Sequence, residues 1–219
     1  MNTREHTAMK MRGNPDISYL GHTVDQMIWS FMEQEKIDGL TLAIVQAPYI
    51  PRVAGYGYSD SQRRRLASPN TMWPAGPISQ AFAAVAVMQL HEDGGLDVNR
   101  RASVYIPELP DTWNDITVLQ LLRHASGLPD YRRAAEFSPD TPWTFDALLQ
   151  LAARNPLHFV PGTEVEQSAT NFLLLTEIVE RVSGLSYHDF VTKRQIEFLG
   201  LGHTGFKEDL GQFHHEDIS

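Results

Sequence analysis

The feature that most constrains the fold is the segment from Ile78 to Asp93, which is apolar nearly all round the helix that it would form. The apolar residues of this segment, ISQAFAAVAVMQLHED, include Phe82, Ala83, Val85, Ala86, Met88 and Leu90. A surface helix carries one apolar stripe, whereas a helix that is apolar on every side is buried. We therefore expect a buried central helix, and the rest of the chain must supply the elements that surround it.

The sequence before this helix predicts one surface helix and one β-hairpin. Residues 21–37 repeat apolar side chains at helical spacing, as at Val24, Ile28 and Met32. Residues 39–46 and 52–60 are apolar, β-branched or aromatic and are separated by PYIP, a pattern typical of two paired strands.

Beyond residue 60 the patterns are almost wholly helical, and the final helix begins after the N-cap serine of LSYHDF. A chain of 219 residues with 42% hydrophobic residues can bury a substantial core. We therefore predict an α+β fold, a mostly helical domain with an incomplete antiparallel sheet. Residues 1–70 would hold the first helix and the hairpin, 71–206 the helical domain, and 207–219 a tail.

Composition excludes several classes of function. The chain has 18 basic and 27 acidic residues and a formal charge of −9, which argues against general binding to nucleic acid or anionic membranes. It has no cysteine, hence no disulfide, thiol nucleophile or cysteine metal site. No segment predicts a signal peptide or a membrane span, so a cytoplasmic location is expected. The HHED segment at 214–217 contains metal-ligand residue types, but in a terminal tail, and we expect no metal and no cofactor.

The order of the segments resembles that of the serine β-lactamase-related family, which includes class C β-lactamases, D-alanyl-D-alanine carboxypeptidases and similar esterases. The resemblance runs from Gly39 to Phe206, and its most specific segment is ITVLQLLRHASGLPDY. The other segments, in chain order, are GLTLAIV, GYGYSD, MWPAGPISQAFAAVAVMQLHEDGGLDVN, VYIPELP, FVPGTEVEQSATNFLLLTEIVERVSGLSYHDF and LGLGHTGF.

This resemblance implies a sheet part and a helical part, with the chemistry in the groove between them. Similar members carry a Ser-x-x-Lys pair at the start of the buried helix, a Tyr-x-Asn on a loop, and a Lys-Thr-Gly or His-x-Gly on a late strand. Positions i and i+3 share one face of a helix, so the amine of such a pair can take the proton of the hydroxyl.

The first of these motifs is altered at both functional positions. Gly76 to Gln80 matches a family GSISK, which puts Pro77 at the nucleophile and Gln80 at the base. Proline lacks a nucleophile and also the backbone N–H that, in the family, forms half of the oxyanion hole. A glutamine amide does not accept a proton at neutral pH.

The second motif is altered in the same way, because PGTEVEQSATNF places Gln167 at the tyrosine and Ala169 at the asparagine, with Ser168 between them. The literal His203-Thr204-Gly205 occurs in a segment that resembles the family stretch after a helix, and we interpret it as coincidence. No catalytic residue is predicted. A non-catalytic groove would be lined by Pro77, Ser79, Gln80, Gln167, Ser168 and Ala169.

Two functions remain open at this point. The substitutions favour a non-catalytic homologue, a pseudoenzyme that binds a small-molecule ligand in the groove or serves as a scaffold or subunit. The alternative is a serine-hydrolase-type enzyme with a rebuilt site, either a weak esterase, β-lactamase or peptidase that uses Ser79 or Ser168, or a noncovalent catalyst. Serine is common at helix starts, so we expect Ser79 to cap or pack, and we expect a structural hydrogen bond at His124.

The sheet raises a separate expectation. The thirteen residues after Phe206 are too few for the late strands of the family, and an isolated hairpin is marginal in water. We therefore expect the hairpin to lack partners within the chain. A homo-oligomer, a second chain that supplies strands, or terminal helices over the sheet would cover it. Whether the sequence is a natural short form or a fragment stays open.

Overall fold

The computed structural model describes residues 10–46, 48–213 and 218. The chain forms two compact units: Met1–Pro74 with Gly202–Ser219, and Ala75–Leu201. The HHED segment at 214–217 lies outside the described residues. The described residues contain no group of three or more side chains that could hold a metal ion. They also contain no helix that is long and apolar enough to cross a membrane.

The first unit is built on an antiparallel sheet with strand order β1-β5-β4, and β6 also pairs with β5. A small separate hairpin precedes one helix, α1, which begins at Thr23 in a capping box with Gln26. The elements are β1 (Lys10–Gly13), β2 (Ser18–Tyr19), β3 (His22–Thr23), α1 (Val24–Glu35), β4 (Gly39–Gln46), β5 (Tyr49–Asp60), β6 (Arg65–Leu66) and a 3₁₀ helix (Lys207–Gln212).

The expectation that the β4–β5 hairpin lacks partners within the chain is wrong. β1 pairs with β5 from Lys10 opposite Gly55 to Gly13 opposite Arg52, and β6 pairs with β5 further along the strand. The sequence KMRG gave no strand signal because it is short, polar and mostly exposed, without alternating apolar residues. No strand among the described residues pairs with the other edge, that of β4.

The apolar core of the first unit lies between α1 and one face of the sheet. Met32 of α1 packs with Ala54 and Tyr56 of β5. The Trp29 ring meets the Tyr56 ring edge-to-face with centroids 5.7 Å apart. Leu40 and Leu42 of β4 extend this core toward the open sheet edge, where they are only half-buried.

A buried ion pair joins α1 to β5. The Arg52 side chain is fully buried and donates to the Asp25 carboxylate of α1 and, at 3.2 Å, to the Tyr56 hydroxyl. It also donates to the carbonyl oxygens of Asn14 at 3.3 Å and Pro15 at 3.0 Å. Tyr56 donates in turn to Asp25 at 2.7 Å. Burial, together with the nearby Asp25 carboxylate, raises the pKa of Tyr56 to about 12.

The second unit is helical, and each long helical pattern of the sequence corresponds to a helix. Thr117, Thr144, Ser168 and Ser186 cap four of these helices with their side chains. The elements are α2 (Gln80–Glu92), α3 (Val118–Leu122), α4 (Phe145–Ala153), α5 (Ala169–Ser183), α6 (Tyr187–Val191), the π-helix Thr192–Glu197 and 3₁₀ helices at Gly76–Ser79, Ala102–Val104, Asp111–Trp113 and Tyr131–Arg133.

The centre of the second unit is α5, which packs against α2, α3, α4 and α6. The prediction that α2 is buried on all sides is wrong. It buries a face of small and aliphatic residues that includes Ala86 and Val87, but Val85 is 48% exposed and Met88 is 46% exposed. Apolarity all round a helix permits burial, but the described elements cover only one side of α2.

Candidate functional site

The nucleophile position of the first motif lies in a single 3₁₀ turn, Gly76–Ser79, that leads into α2. Gly76 has φ +50°, and Pro77 follows as the second residue of the turn, where the missing N–H costs no hydrogen bond. Pro77 and Ser79 are exposed. The Ser79 hydroxyl donates to the Gly76 carbonyl oxygen at 2.6 Å and does not cap α2. Of the two roles expected for Ser79, capping or packing, the side chain does not take the capping role.

The second motif forms the start of α5. The buried Ser168 is the N-cap, and its hydroxyl accepts from the backbone N–H of Thr170 at 3.2 Å. Ala169 is the first residue of the helix and is buried, whereas Gln167 is exposed. The side chain of Gln167 makes no hydrogen bond with the described residues. Local capping thus explains the serine here without any catalytic role.

His124 joins the two motifs. Its Nδ1 atom accepts from the Asn171 side-chain amide at 2.9 Å and from the backbone N–H of Ser168 at 3.3 Å. Its carbonyl oxygen accepts from the backbone N–H of Glu166 at 3.0 Å. On the other side of the ring, Nε2 lies 3.4 Å from the Gln80 side-chain oxygen. We call Gln80, His124, Ser126, Ser168 and Asn171 the motif cluster.

The hydrogen bonds to Nδ1 determine the tautomer of His124. Because two donors face Nδ1, this atom is unprotonated and the proton of the neutral ring is on Nε2. Burial lowers the pKa of His124 below its ordinary value, although the Asp130 charge acts in the opposite direction. The neutral ring therefore donates from Nε2 to the oxygen of Gln80, which leaves the NH₂ group of Gln80 to face away from the ring.

Two buried polar side chains support this arrangement. The Ser126 hydroxyl donates to the side-chain oxygen of Asn171 at 2.5 Å, and both residues are fully buried. Ser126 also accepts from the backbone N–H of Leu128 at 3.1 Å. Because the Asn171 oxygen is engaged by Ser126, its NH₂ group points to His124.

Sequence reasoning found Gln80 and Ser168 but missed Ser126 and Asn171, and it assigned only an ordinary structural hydrogen bond to His124. The available signal was the presence of polar residues within otherwise apolar, recognisable segments: His124 and Ser126 in LLRHASGL, and Asn171 in ATNFLLL. Buried polar groups are nearly always hydrogen-bonded. His203, Thr204 and Gly205 lie in a turn and loop rather than in a strand, as their interpretation as coincidence implies.

Acidification is expected to destabilise the fold through His124. The unfolded histidine binds a proton more readily than the folded one, because burial lowers the pKa of His124 in the folded state. The contribution of neutral His124 to the free energy of unfolding is therefore complete above pH 6.5, its ordinary pKa, and is lost as the pH falls below that value. The free energy of unfolding should therefore fall as the pH is lowered below 6.5. Urea unfolding of the wild type and of His124→Asn between pH 7.5 and 5.5 measures it. Equal pH dependence in both proteins would contradict the assignment.

Chemically, the two motifs offer hydrogen-bonding groups, and two of these are serine hydroxyls. The hydroxyls of Ser79 and Ser168 are engaged with the backbone at Gly76 and Thr170. Neither is hydrogen-bonded to a lysine or histidine side chain among the described residues. A serine without a neighbouring base is a weak nucleophile.

Comparisons with known proteins agree with this fold. The chain is 28% identical over 199 residues to protein flp of Staphylococcus aureus strain N315. The aligned region covers 89% of this chain and 40% of protein flp. The structure is similar to that of an octameric penicillin-binding protein homologue from Pyrococcus abyssi, with a TM-score of 0.75 and 27% identity over 89% of this chain and 46% of that one. A class C β-lactamase gives a TM-score of 0.74 and 25% identity over 90% of this chain and 52% of that one.

The chain spans 40% of the length of the first of these relatives and 46–52% of the two solved structures. The sequence model that describes the beta-lactamase family matches residues 24–217. Since this match includes the sheet hairpin, both altered motifs and all six helices, the chain belongs to the beta-lactamase family.

Proposed function

We propose that this protein is a non-catalytic member of the beta-lactamase family that acts by noncovalent binding or as a structural subunit. The observation that carries the proposal is the pair Pro77 and Gln80. Pro77, at the nucleophile position, has neither a hydroxyl nor an N–H group. Gln80, at the base position, accepts a hydrogen bond from a neutral histidine.

The size of these losses argues against residual family chemistry. Removal of one oxyanion-hole donor costs about 10²–10³ in rate. Removal of the attacking serine of a serine hydrolase costs about 10⁶. Pro77 removes both contributions, and the hydroxyls of Ser79 and Ser168 are committed to backbone hydrogen bonds.

The motif cluster supports a binding role because it presents a fixed neutral donor. The Gln80 oxygen is directed to His124, and its nitrogen is not among the buried polar atoms that lack a partner. The NH₂ group makes no hydrogen bond with the described residues, and it suits a hydrogen-bond acceptor such as the carbonyl oxygen of a small neutral ligand. The relative described as octameric supports the further proposal that this chain assembles into a homo-oligomer.

Covalent labelling tests the proposed absence of acyl transfer to a serine. We expect no mass increase after incubation with a fluorescent penicillin or a fluorophosphonate. We also expect the same background hydrolysis of a chromogenic cephalosporin and a p-nitrophenyl ester by wild type, Ser79→Ala and Ser168→Ala. An acyl adduct, or hydrolysis that disappears in one serine variant, would favour the alternative of a rebuilt serine hydrolase.

Noncovalent binding is tested separately with benzylpenicillin as the probe. We expect the NMR signal of the Gln80 side-chain NH₂ to shift on titration, and Gln80→Leu to weaken binding about tenfold, as expected for one hydrogen bond. Gln150→Leu is the matched control, because that side chain is exposed and lies on α4, outside both motifs. An equal effect of both variants would exclude recognition through Gln80.

A further inference from the structure

The hydrogen bonds of the motif cluster require Nδ1 of His124 to act as an acceptor. Ser126 donates to the side-chain oxygen of Asn171 at 2.5 Å, and the NH₂ group of Asn171 donates to Nδ1 at 2.9 Å. The backbone N–H of Ser168 approaches the same ring atom at 3.3 Å. Both described partners of Nδ1 are therefore donors, and the arrangement fits only a neutral ring.

Burial prevents these groups from exchanging their partners freely for water. Ser126 and Asn171 are fully buried, and Ser168 is 2% exposed. The half-buried His124 ring packs against the Phe172 ring with centroids 5.2 Å apart. Because a buried polar group without a partner is costly, a change at Nδ1 has to be met by a rearrangement of these same side chains.

Rotation of the Asn171 amide is the rearrangement that a second proton on His124 would require. A proton on Nδ1 would place a ring N–H opposite two other donors. If the amide turns by about 180°, its oxygen accepts from Nδ1 and its NH₂ group faces the Ser126 hydroxyl oxygen. That oxygen has two lone pairs and accepts from the Leu128 N–H at 3.1 Å, so it can accept once more.

The rotated arrangement satisfies the charged ring but not every other group. The N–H of Ser168 would lose Nδ1 as its acceptor, and the Ser126 hydroxyl hydrogen would lose the Asn171 oxygen. Nε2 carries a proton in both states, so its contact with the Gln80 oxygen at 3.4 Å is kept. Protonation thus affects the second motif and spares the first.

We propose that His124 is a proton switch, in which protonation of Nδ1 reverses the Asn171 amide and releases Ser168 while Gln80 stays bound to Nε2. The neutral state has more of its buried groups bonded, and burial lowers the pKa of the ring. The switch should therefore operate below pH 6.5, the ordinary pKa of histidine. Acid would separate two motifs that the neutral ring joins.

The charged groups near His124 belong to the chain on either side of it. The Asp130 carboxylate favours the protonated ring, but Arg132 binds this carboxylate at 2.7 Å. The other charges lie on the 3₁₀ helix at Tyr131–Arg133 and on the segment before Ser168, and they pair with one another: Arg133 with Glu166 at 2.8 Å, and His158 with Glu166 at 2.7 Å.

This switch goes beyond the proposed function and does not rest on it. Its readouts are hydrogen bonds of the folded chain, so acyl labelling could succeed or fail without changing the outcome expected here.

NMR titration of the full chain from pH 7.5 into the acid range in which it stays folded tests the reversal. We expect the Asn171 NH₂ protons to show nuclear Overhauser contacts with the His124 ring at pH 7.5 and with the Ser126 side chain in acid. The backbone amide signal of Ser168 should shift with the midpoint of the ring. The contact between Gln80 and the ring should persist. A ring that stays neutral until the chain unfolds would overturn the proposal, as would an Asn171 amide that keeps its orientation when the ring is charged.

Two variants separate the switch from the general loss of a buried hydroxyl. In Ser126→Ala neither orientation of Asn171 has a partner at residue 126, so the neutral arrangement loses its advantage and the pKa of His124 should be higher than in wild type. Thr170→Val is the matched control. The buried Thr170 hydroxyl also donates to one group and accepts from another, but these are the Pro129 carbonyl and the Tyr131 N–H.

The control should leave the pKa of His124 unchanged, and so should His158→Gln, which removes the second histidine on the neighbouring segment. Equal pKa values of His124 in Ser126→Ala and Thr170→Val would contradict the switch. A Ser168 signal that follows His158 instead of His124, and is lost from the titration in His158→Gln, would do the same.

Discussion

Replacing Asp25 with alanine is expected to lower the free energy of unfolding by about 3–5 kcal/mol, because it removes the carboxylate with which the buried Arg52 guanidinium is paired. The Arg52 side chain has 0% exposure. The carbonyl oxygens of Asn14 and Pro15 would still accept from Arg52, but they carry no full charge. Urea unfolding at pH 7 measures the loss.

Two further variants separate this charge effect from general damage to α1. Glu33→Ala removes an exposed carboxylate from the same helix, and we expect it to change stability by less than about 0.5 kcal/mol. In the double variant Asp25→Ala with Arg52→Met, the buried guanidinium is removed together with its carboxylate, so most of the lost stability should return. If the double variant is as unstable as Asp25→Ala, the buried charge is not the cause.

Asn171→Leu is expected to cost about 2–4 kcal/mol, because it removes the acceptor of the Ser126 hydroxyl and one of the two donors to His124 at once. Leucine has nearly the same size, so the loss reports hydrogen bonding rather than a cavity. Thr176→Val is the matched control on α5, since within the described ranges the Thr176 hydroxyl bonds only to the carbonyl of Leu173 in its own helix. We expect the control to lose less than about 1 kcal/mol.

The same substitution has a signature that a purely structural loss would not give. Nitrogen chemical shifts of His124 should show protonation at Nε2 in the wild type and a mixture of tautomers in Asn171→Leu. In Asn171→Asp a carboxylate would face Nδ1, so the pKa of His124 should rise. An unchanged tautomer in Asn171→Leu and an unchanged pKa in Asn171→Asp would show that Asn171 does not orient the ring.

The helices were predictable because their signals are local. Thr117, Ser168 and Ser186 stand at capping positions before apolar patterns, and these patterns extend over whole helices. β1 was not predictable, because KMRG forms a strand only by pairing with a β5 edge distant in sequence. The exposed side of α2 was missed for a related reason, since apolarity indicates which residues can be buried but not which partners are present.

At the candidate site, the family resemblance predicts which functional groups are replaced but not what the replacements do. That the Pro77 side chain offers no nucleophile follows from covalent structure alone. The direction of the Gln80 amide does not, because it depends on the His124 tautomer, which depends on Asn171 and Ser126, 45 positions apart in sequence. Such a chain of hydrogen bonds exists only after the fold has brought its members together.

His124 adopts φ +55°, a left-handed backbone conformation that side chains with a Cβ rarely occupy. Glycine, asparagine, aspartate and histidine tolerate this conformation best. Of these four, only histidine carries an acceptor for two donors on one side of a ring and a donor on the other. The backbone conformation and the side-chain hydrogen bonds thus set two separate requirements at this position, and histidine meets both. Substitutions that satisfy only the backbone would be expected to preserve the turn while uncoupling the start of α2 from the start of α5.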